Sequence, residues 1–200
     1  MSEITRRDAL SRIAIAFATG GIVDRLDRLA AQELHHTVQA ASGSGGAYVP
    51  KALTPRQFRT LERLTDLIVP VENGKPGALQ AEVAAWIDLL LSVNDELRTR
   101  YTIGLGWIDT AMKARGAADF VSATPEQQTA LLDVIAYQRH RSPEFDPGID
   151  FFILARRMTV GGFYTSRIGM RDVYQGNTPR AAFTVPPEAL DYVLSRSPFK

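Results

Sequence analysis

Two near-identical runs constrain this chain more than anything else in it: Thr54-Pro55-Arg56-Gln57 and Thr124-Pro125-Glu126-Gln127. In each, a threonine stands where its hydroxyl can cap a helix. A proline follows at the first helical position, where a missing N–H costs nothing. A glutamine at the third position can reach back to the capping residue. Apolar residues then recur at helical spacing, as Phe58, Leu61, Leu64, Thr65 and Ile68 after the first run and as Leu131, Leu132, Ile135 and Ala136 after the second. The first helix is expected to stop before Pro70, since the residue ahead of a proline is pushed out of the helical region. The second is expected to end near Tyr137.

The same spacing predicts a helix over 78–92 that buries Leu79, Val83, Trp86, Ile87 and Leu90. Asn94 or Asp95 can cap the next, which reaches about Arg115 with Leu97, Tyr101, Leu105, Ile108 and Met112 on one side. Gly104 and Gly106 interrupt it. Each costs up to about 1 kcal/mol against alanine, while its small size permits a close helix crossing. Gly116 is the expected stop. A further helix is expected from about Ile149 to Val160 or slightly beyond, after a loop over 142–148. The tail carries Pro179, Pro186 and Pro187 and is expected to be irregular, with a short helix near 188–194. No stretch shows sustained two-residue alternation with hairpin turns. The predicted class is all-α, a single compact domain of about five helices over 48–200 with an N-terminal signal or helical extension and an irregular C-terminal tail.

Residues 1–41 are different in kind. Arg6 and Arg7 precede a short apolar stretch, Ile13 to Val23, and a charged run over 24–33. Paired arginines ahead of a weakly apolar segment are the layout of a twin-arginine export signal. Val38-Gln39-Ala40-Ala41-Ser42 offers small residues suited to a signal peptidase. The competing reading is an amphipathic helix with Leu26, Leu29 and Leu34 on one side. Both hold if the signal stays attached. Ser42-Gly43-Ser44-Gly45-Gly46-Ala47 is a flexible linker by composition, so the folded domain is expected to start near Tyr48.

Catalytic signatures are sparse. There are no cysteines, which removes disulfides, thiolate metal sites, a cysteine nucleophile and haem attached through a C-x-x-C-H motif. The net charge of +1 gives no electrostatic case for nucleic acid or an anionic membrane surface. The apolar run 13–23 is about half of the roughly 20 residues a membrane-spanning helix needs. Of the three histidines, His35 and His36 fall in the signal region, and His140 sits in a basic helix end. No G-x-S-x-G, H-E-x-x-H, G-x-G-x-x-G or P-loop pattern occurs. Carboxylate pairs such as Asp66 with Glu72 and Asp146 with Asp150 read as capping or solvated surface. No catalytic, cofactor-binding or metal-binding residue is predicted.

One segment stands apart: residues 159–177 concentrate glycine, aromatic residues, methionine and arginine. These types are enriched at interfaces, where aromatics and arginine act as anchors. The candidate partner contacts are Phe163, Tyr164, Thr165, Ser166, Arg167, Tyr174 and Gln175. The alternative is a glycine-punctuated helix end whose rings sit in the chain's own core.

Four blocks carry a resemblance: Thr5-Arg6-Arg7-Asp8-Ala9-Leu10; Leu61-x-x-Leu64-Thr65-Asp66-Leu67-Ile68-Val69-Pro70; Pro76-Gly77-Ala78 leading to Val83-x-x-Trp86-Ile87-Asp88; and Gly162-Phe163-Tyr164-Thr165-Ser166-x-x-Gly169-Met170-x-Asp172 with Tyr174-Gln175-Gly176 behind it. Together they resemble the gluconate 2-dehydrogenase subunit 3 family. The first block departs from strong export signals, which carry a bulky apolar residue soon after the arginines. The resemblance implies a cofactor-free small subunit that stabilises an FAD-dependent sugar or polyol dehydrogenase and aids its twin-arginine export. FAD would lie in the large subunit, and a cytochrome c subunit, where present, would carry electrons onward. The location implied is periplasmic, with any membrane association supplied by partners. Two other classes stand beside it: an exported helical protein that binds a small molecule, and a stand-alone enzyme using carboxylates with His140.

Overall fold

A threonine cap followed by a proline sets the first turn of two helices, and the core is built around the longest helix. The computed structural model describes residues 35–38, 48–173 and 185–197. Its α-helices are α1 (Pro55–Ile68), α2 (Val83–Leu91), α3 (Asp95–Lys113), α4 (Pro125–Ile135), α5 (Asp146–Thr165) and α6 (Pro187–Arg196). A 3₁₀ turn at Gln138–His140 and a π turn at Gly169–Val173 flank α5. Residues 35–38 are also helical. Among the described residues there is no strand, only an isolated bridge between Glu72 and Lys75. The all-α expectation therefore holds.

Both capping boxes form. Gln57 N–H donates to Thr54 Oγ1 at 3.3 Å and Thr54 N–H donates to Gln57 Oε1 at 3.0 Å; Thr124 and Gln127 repeat the pair at the same distances. Asn94 caps α3 through the Leu97 N–H at 2.9 Å. Gly116, with φ +86°, follows the end of α3, in a left-handed conformation that side chains disfavour.

Helix α5 packs against α1, α2, α3 and α4. Its buried residues include Ile149, Phe151, Phe152, Leu154, Ala155, Met158 and Phe163. All five predicted core residues of α3 are buried. The expected close crossing occurs at Gly104: the Phe151 ring occupies the space a Cβ would fill. Gly106 faces open space instead.

Two helices differ from expectation at their boundaries. Helix α2 starts at Val83, because Glu82 adopts a left-handed conformation (φ 51°) and residues 78–82 form turns. Leu79 is consequently exposed. Helix α5 runs longer at both ends. Pro147 fits its first turn, and the helix continues through Gly161 and Gly162 to Thr165.

Candidate functional site

The face where α2 lies against the C-terminal half of α5 brings together the aromatic and glycine block and residues from the N-terminal region. Trp86 on α2 is fully buried and lies against Gly162 on α5. A Cβ at Gly162 would come within 2.8 Å of the indole Cε3, so the close approach requires glycine. This packing outweighs the roughly 1 kcal/mol that a mid-helix glycine costs.

On the indole rests His35. The two rings are stacked at 5.6 Å between centroids and 13° between planes. The imidazole Nε2 lies 3.2 Å from Thr165 Oγ1. The same hydroxyl donates to the Gly161 carbonyl at 2.8 Å, which ties the ring contact to the backbone of α5. Burial pushes the His35 pKa down to about 4, opposed by a hydrogen bond to the Gly162 backbone and reinforced by the charge of His36. The ring is therefore neutral at physiological pH. Val38, one turn on, is fully buried. The core thus includes two residues from ahead of the glycine and serine linker, which the expected domain start near Tyr48 leaves out. Residues 42–47 lie outside the described residues.

Two residues along α2 from Trp86, Asp88 holds the chain on the other side of that linker. Its fully buried carboxylate accepts from Tyr48 Oη at 2.8 Å and from the backbone N–H groups of Lys51 at 2.6 Å, Ala52 at 3.2 Å and Leu53 at 2.9 Å. Four donors satisfy a carboxylate that would otherwise be costly to bury. The Tyr48 phenol is driven above its usual pKa by burial first and by the Asp88 charge second.

The candidate contact residues separate. Phe163 is 2% exposed and belongs to the chain's own core. Ser166 is buried, accepting from the Gly169 N–H at 2.9 Å and donating to the Phe163 carbonyl at 2.6 Å. Thr165 is half-buried beneath His35. Tyr164 and Arg167 are exposed, and Val160, one turn before Tyr164, is exposed too. Arg6, Arg7, Tyr174 and Gln175 lie outside the described residues.

A second surface went unnoticed in the sequence. No residue of α6 is buried. Leu190, Val193 and Leu194, at helical spacing, are 46–63% exposed. Tyr192 is exposed as well and engages Arg196, whose Nη1 donates to the phenol at 2.6 Å with the guanidinium 4.4 Å from the ring centroid. The short helix was expected from the sequence; the signal of its apolar face, not used there, is the three- and four-residue spacing of Leu190, Val193 and Leu194.

The groups that carried the stand-alone enzyme alternative are engaged in the fold. His140 bonds through Nδ1 to the Val134 carbonyl at 2.9 Å, at the end of α4. Asp146 and Asp150 both pair with Arg141, and Asp66 pairs with Arg63 at 2.8 Å. Among the described residues no group of three His, Cys, Asp or Glu could hold a metal ion, and no helix is long and apolar enough to cross a membrane. A hollow between α3 and α5, lined by Ile103, Trp107 and Phe151, holds about 200 Å³, below the roughly 300–1,000 Å³ of small-molecule sites, and a shallow depression over α1 lined by Arg59, Glu62, Asp66 and Leu79 holds about 400 Å³.

A sequence model of the family described as gluconate 2-dehydrogenase subunit 3 matches residues 55–181. The chain matches no curated protein and no solved structure.

Proposed function

The chain belongs to the gluconate 2-dehydrogenase subunit 3 family, and on that premise we propose that it is a non-catalytic small subunit that stabilises an FAD-dependent sugar or polyol dehydrogenase and aids its export through the twin-arginine route to the periplasm. The family description makes it a subunit of a multi-subunit dehydrogenase. The finer assignment rests on one observation: α6 presents an apolar face that is exposed among the described residues. A ten-residue helix is marginal alone in water, and most helical stability in proteins comes from packing an apolar face. A partner surface supplies that packing, worth roughly 1.5–3 kcal/mol for each large apolar side chain fully buried.

Val160 and Tyr164 on the exposed side of α5, with Arg167 just beyond its end, add an aliphatic, an aromatic and a cation, a mixture suited to the rim and anchors of an interface. The paired arginines at Arg6 and Arg7 supply the export signal in this reading. A flavoprotein acquires FAD as it folds, so it needs a route that carries folded cargo, and a bound small subunit can lend its signal. FAD belongs to the large subunit and haem c to a third, where one is present. The test is co-expression with the flavoprotein. Leu190→Asp combined with Val193→Asp is expected to abolish co-purification of flavin absorbance while leaving the subunit folded. Arg6→Lys with Arg7→Lys is expected to leave the assembled pair in the cytoplasm. Flavin that still co-purifies with the α6 variant sinks the docking role, and a periplasmic flavoprotein in the absence of this subunit sinks the export role.

A further inference from the structure

Helix α2 anchors the chain on both sides of the 42–47 linker. Asp88 holds residues 48–53, and Trp86 with Thr165 holds His35. The second anchor joins residues 130 positions apart. It has the marks of a built site: a flat ring stack, a hydrogen bond between the ring and Thr165, a fully buried valine one turn away and a glycine that leaves room for the indole beneath. Burial keeps the imidazole neutral.

We infer that residues 35–38 are a built-in ligand of the α2–α5 groove that stays with the folded subunit, so that the small-residue run Val38-Gln39-Ala40-Ala41-Ser42 is not used as a signal cleavage site. A cut within that run would discard His35 and Val38 from the core. It would also require a protease to seat Val38, which is helical and fully buried. Backbone held by burial resists cleavage, whereas exposed small-residue segments admit it. The consequence for processing rests on the export reading above; the docking itself does not. Any removal of the signal therefore falls upstream of His35.

The test uses the full chain with Ser42–Ala47 replaced by the recognition sequence of a site-specific protease. After cutting, the N-terminal fragment is expected to co-elute with the rest of the chain on size exclusion. Carrying His35→Ala and Val38→Asp, the same fragment is expected to leave, and the remaining protein to melt lower by about 5 °C or more. Val38→Ala, a milder change, is expected to give partial release. A wild-type fragment that departs while the remainder melts unchanged overturns the inference, and so does a double variant that stays bound. In cells, the intact mass of the exported subunit is expected to place its N-terminus at or upstream of His35, and a mature start at Ala41 or Ser42 overturns the processing claim. A chain that never reaches the periplasm contradicts the export reading, and the cutting experiment then still decides the docking.

Discussion

The two ends of the described chain make opposite use of helix. At the N-terminal end, the helical residues 35–38 place His35 and Val38 in the core, and His35 reaches across to α5. At the C-terminal end, the ten residues of α6 bury nothing, although leucine and valine line one side. The difference is what waits on the other side. The N-terminal residues meet a groove shaped by Trp86 and Gly162 in their own chain, whereas the apolar side of α6 is exposed among the described residues. A segment's apolar residues therefore do not reveal whether the surface that covers them is internal or belongs to a partner.

The largest break in that contrast comes from the groove itself. Trp86→Ala removes the surface under His35 together with a fully buried side chain, and is expected to cost about 3–5 kcal/mol by urea unfolding. Asp88→Ala leaves three backbone N–H groups and the Tyr48 phenol without their acceptor, with an expected loss of about 3 kcal/mol in the same assay. Acid is expected to loosen the N-terminal end selectively. His35 is at about 4 when folded and takes the ordinary 6.5 when unfolded, so the unfolded chain binds the extra proton between those values. Its contribution is full above pH 6.5 and falls away as the pH drops toward 4, by up to about 1.4 kcal/mol per pH unit. Stability compared at pH 7 and pH 5 should show the loss in wild type and a smaller one in His35→Gln. The smallest effect belongs to the other end: Leu190→Ser is expected to shift the unfolding of the isolated subunit by less than about 0.5 kcal/mol, since α6 contributes nothing to its core.

The fold was legible where local chemistry decides it. Thr54 with Gln57, Thr124 with Gln127, Asn94 and Gly116 set helix ends through contacts within a few residues, and the apolar positions of α1, α3 and α4 followed the helical period. Legibility failed where a distant surface decides. The Gly161-Gly162 pair reads as a helix break, yet Trp86 needs the space and the helix continues. The start of α2 was misplaced because apolar spacing does not report the left-handed turn at Glu82. Asp146-Pro147 reads as loop but opens a helix. Within the candidate site, composition marked the right neighbourhood without sorting it: Phe163 and Ser166 face inward, while Tyr164 and Arg167 face outward. His35 was invisible as a core residue because its partners, Trp86 and Thr165, are joined to it by no sequence pattern.

Hydrogen exchange of α6 in the free subunit and in the flavoprotein complex tests the central claim most directly. The account predicts amides of residues 187–196 that exchange nearly unprotected in the free subunit and at least about tenfold more slowly in the complex, while those of α5 stay protected in both. Equal exchange of α6 with and without the flavoprotein would contradict it.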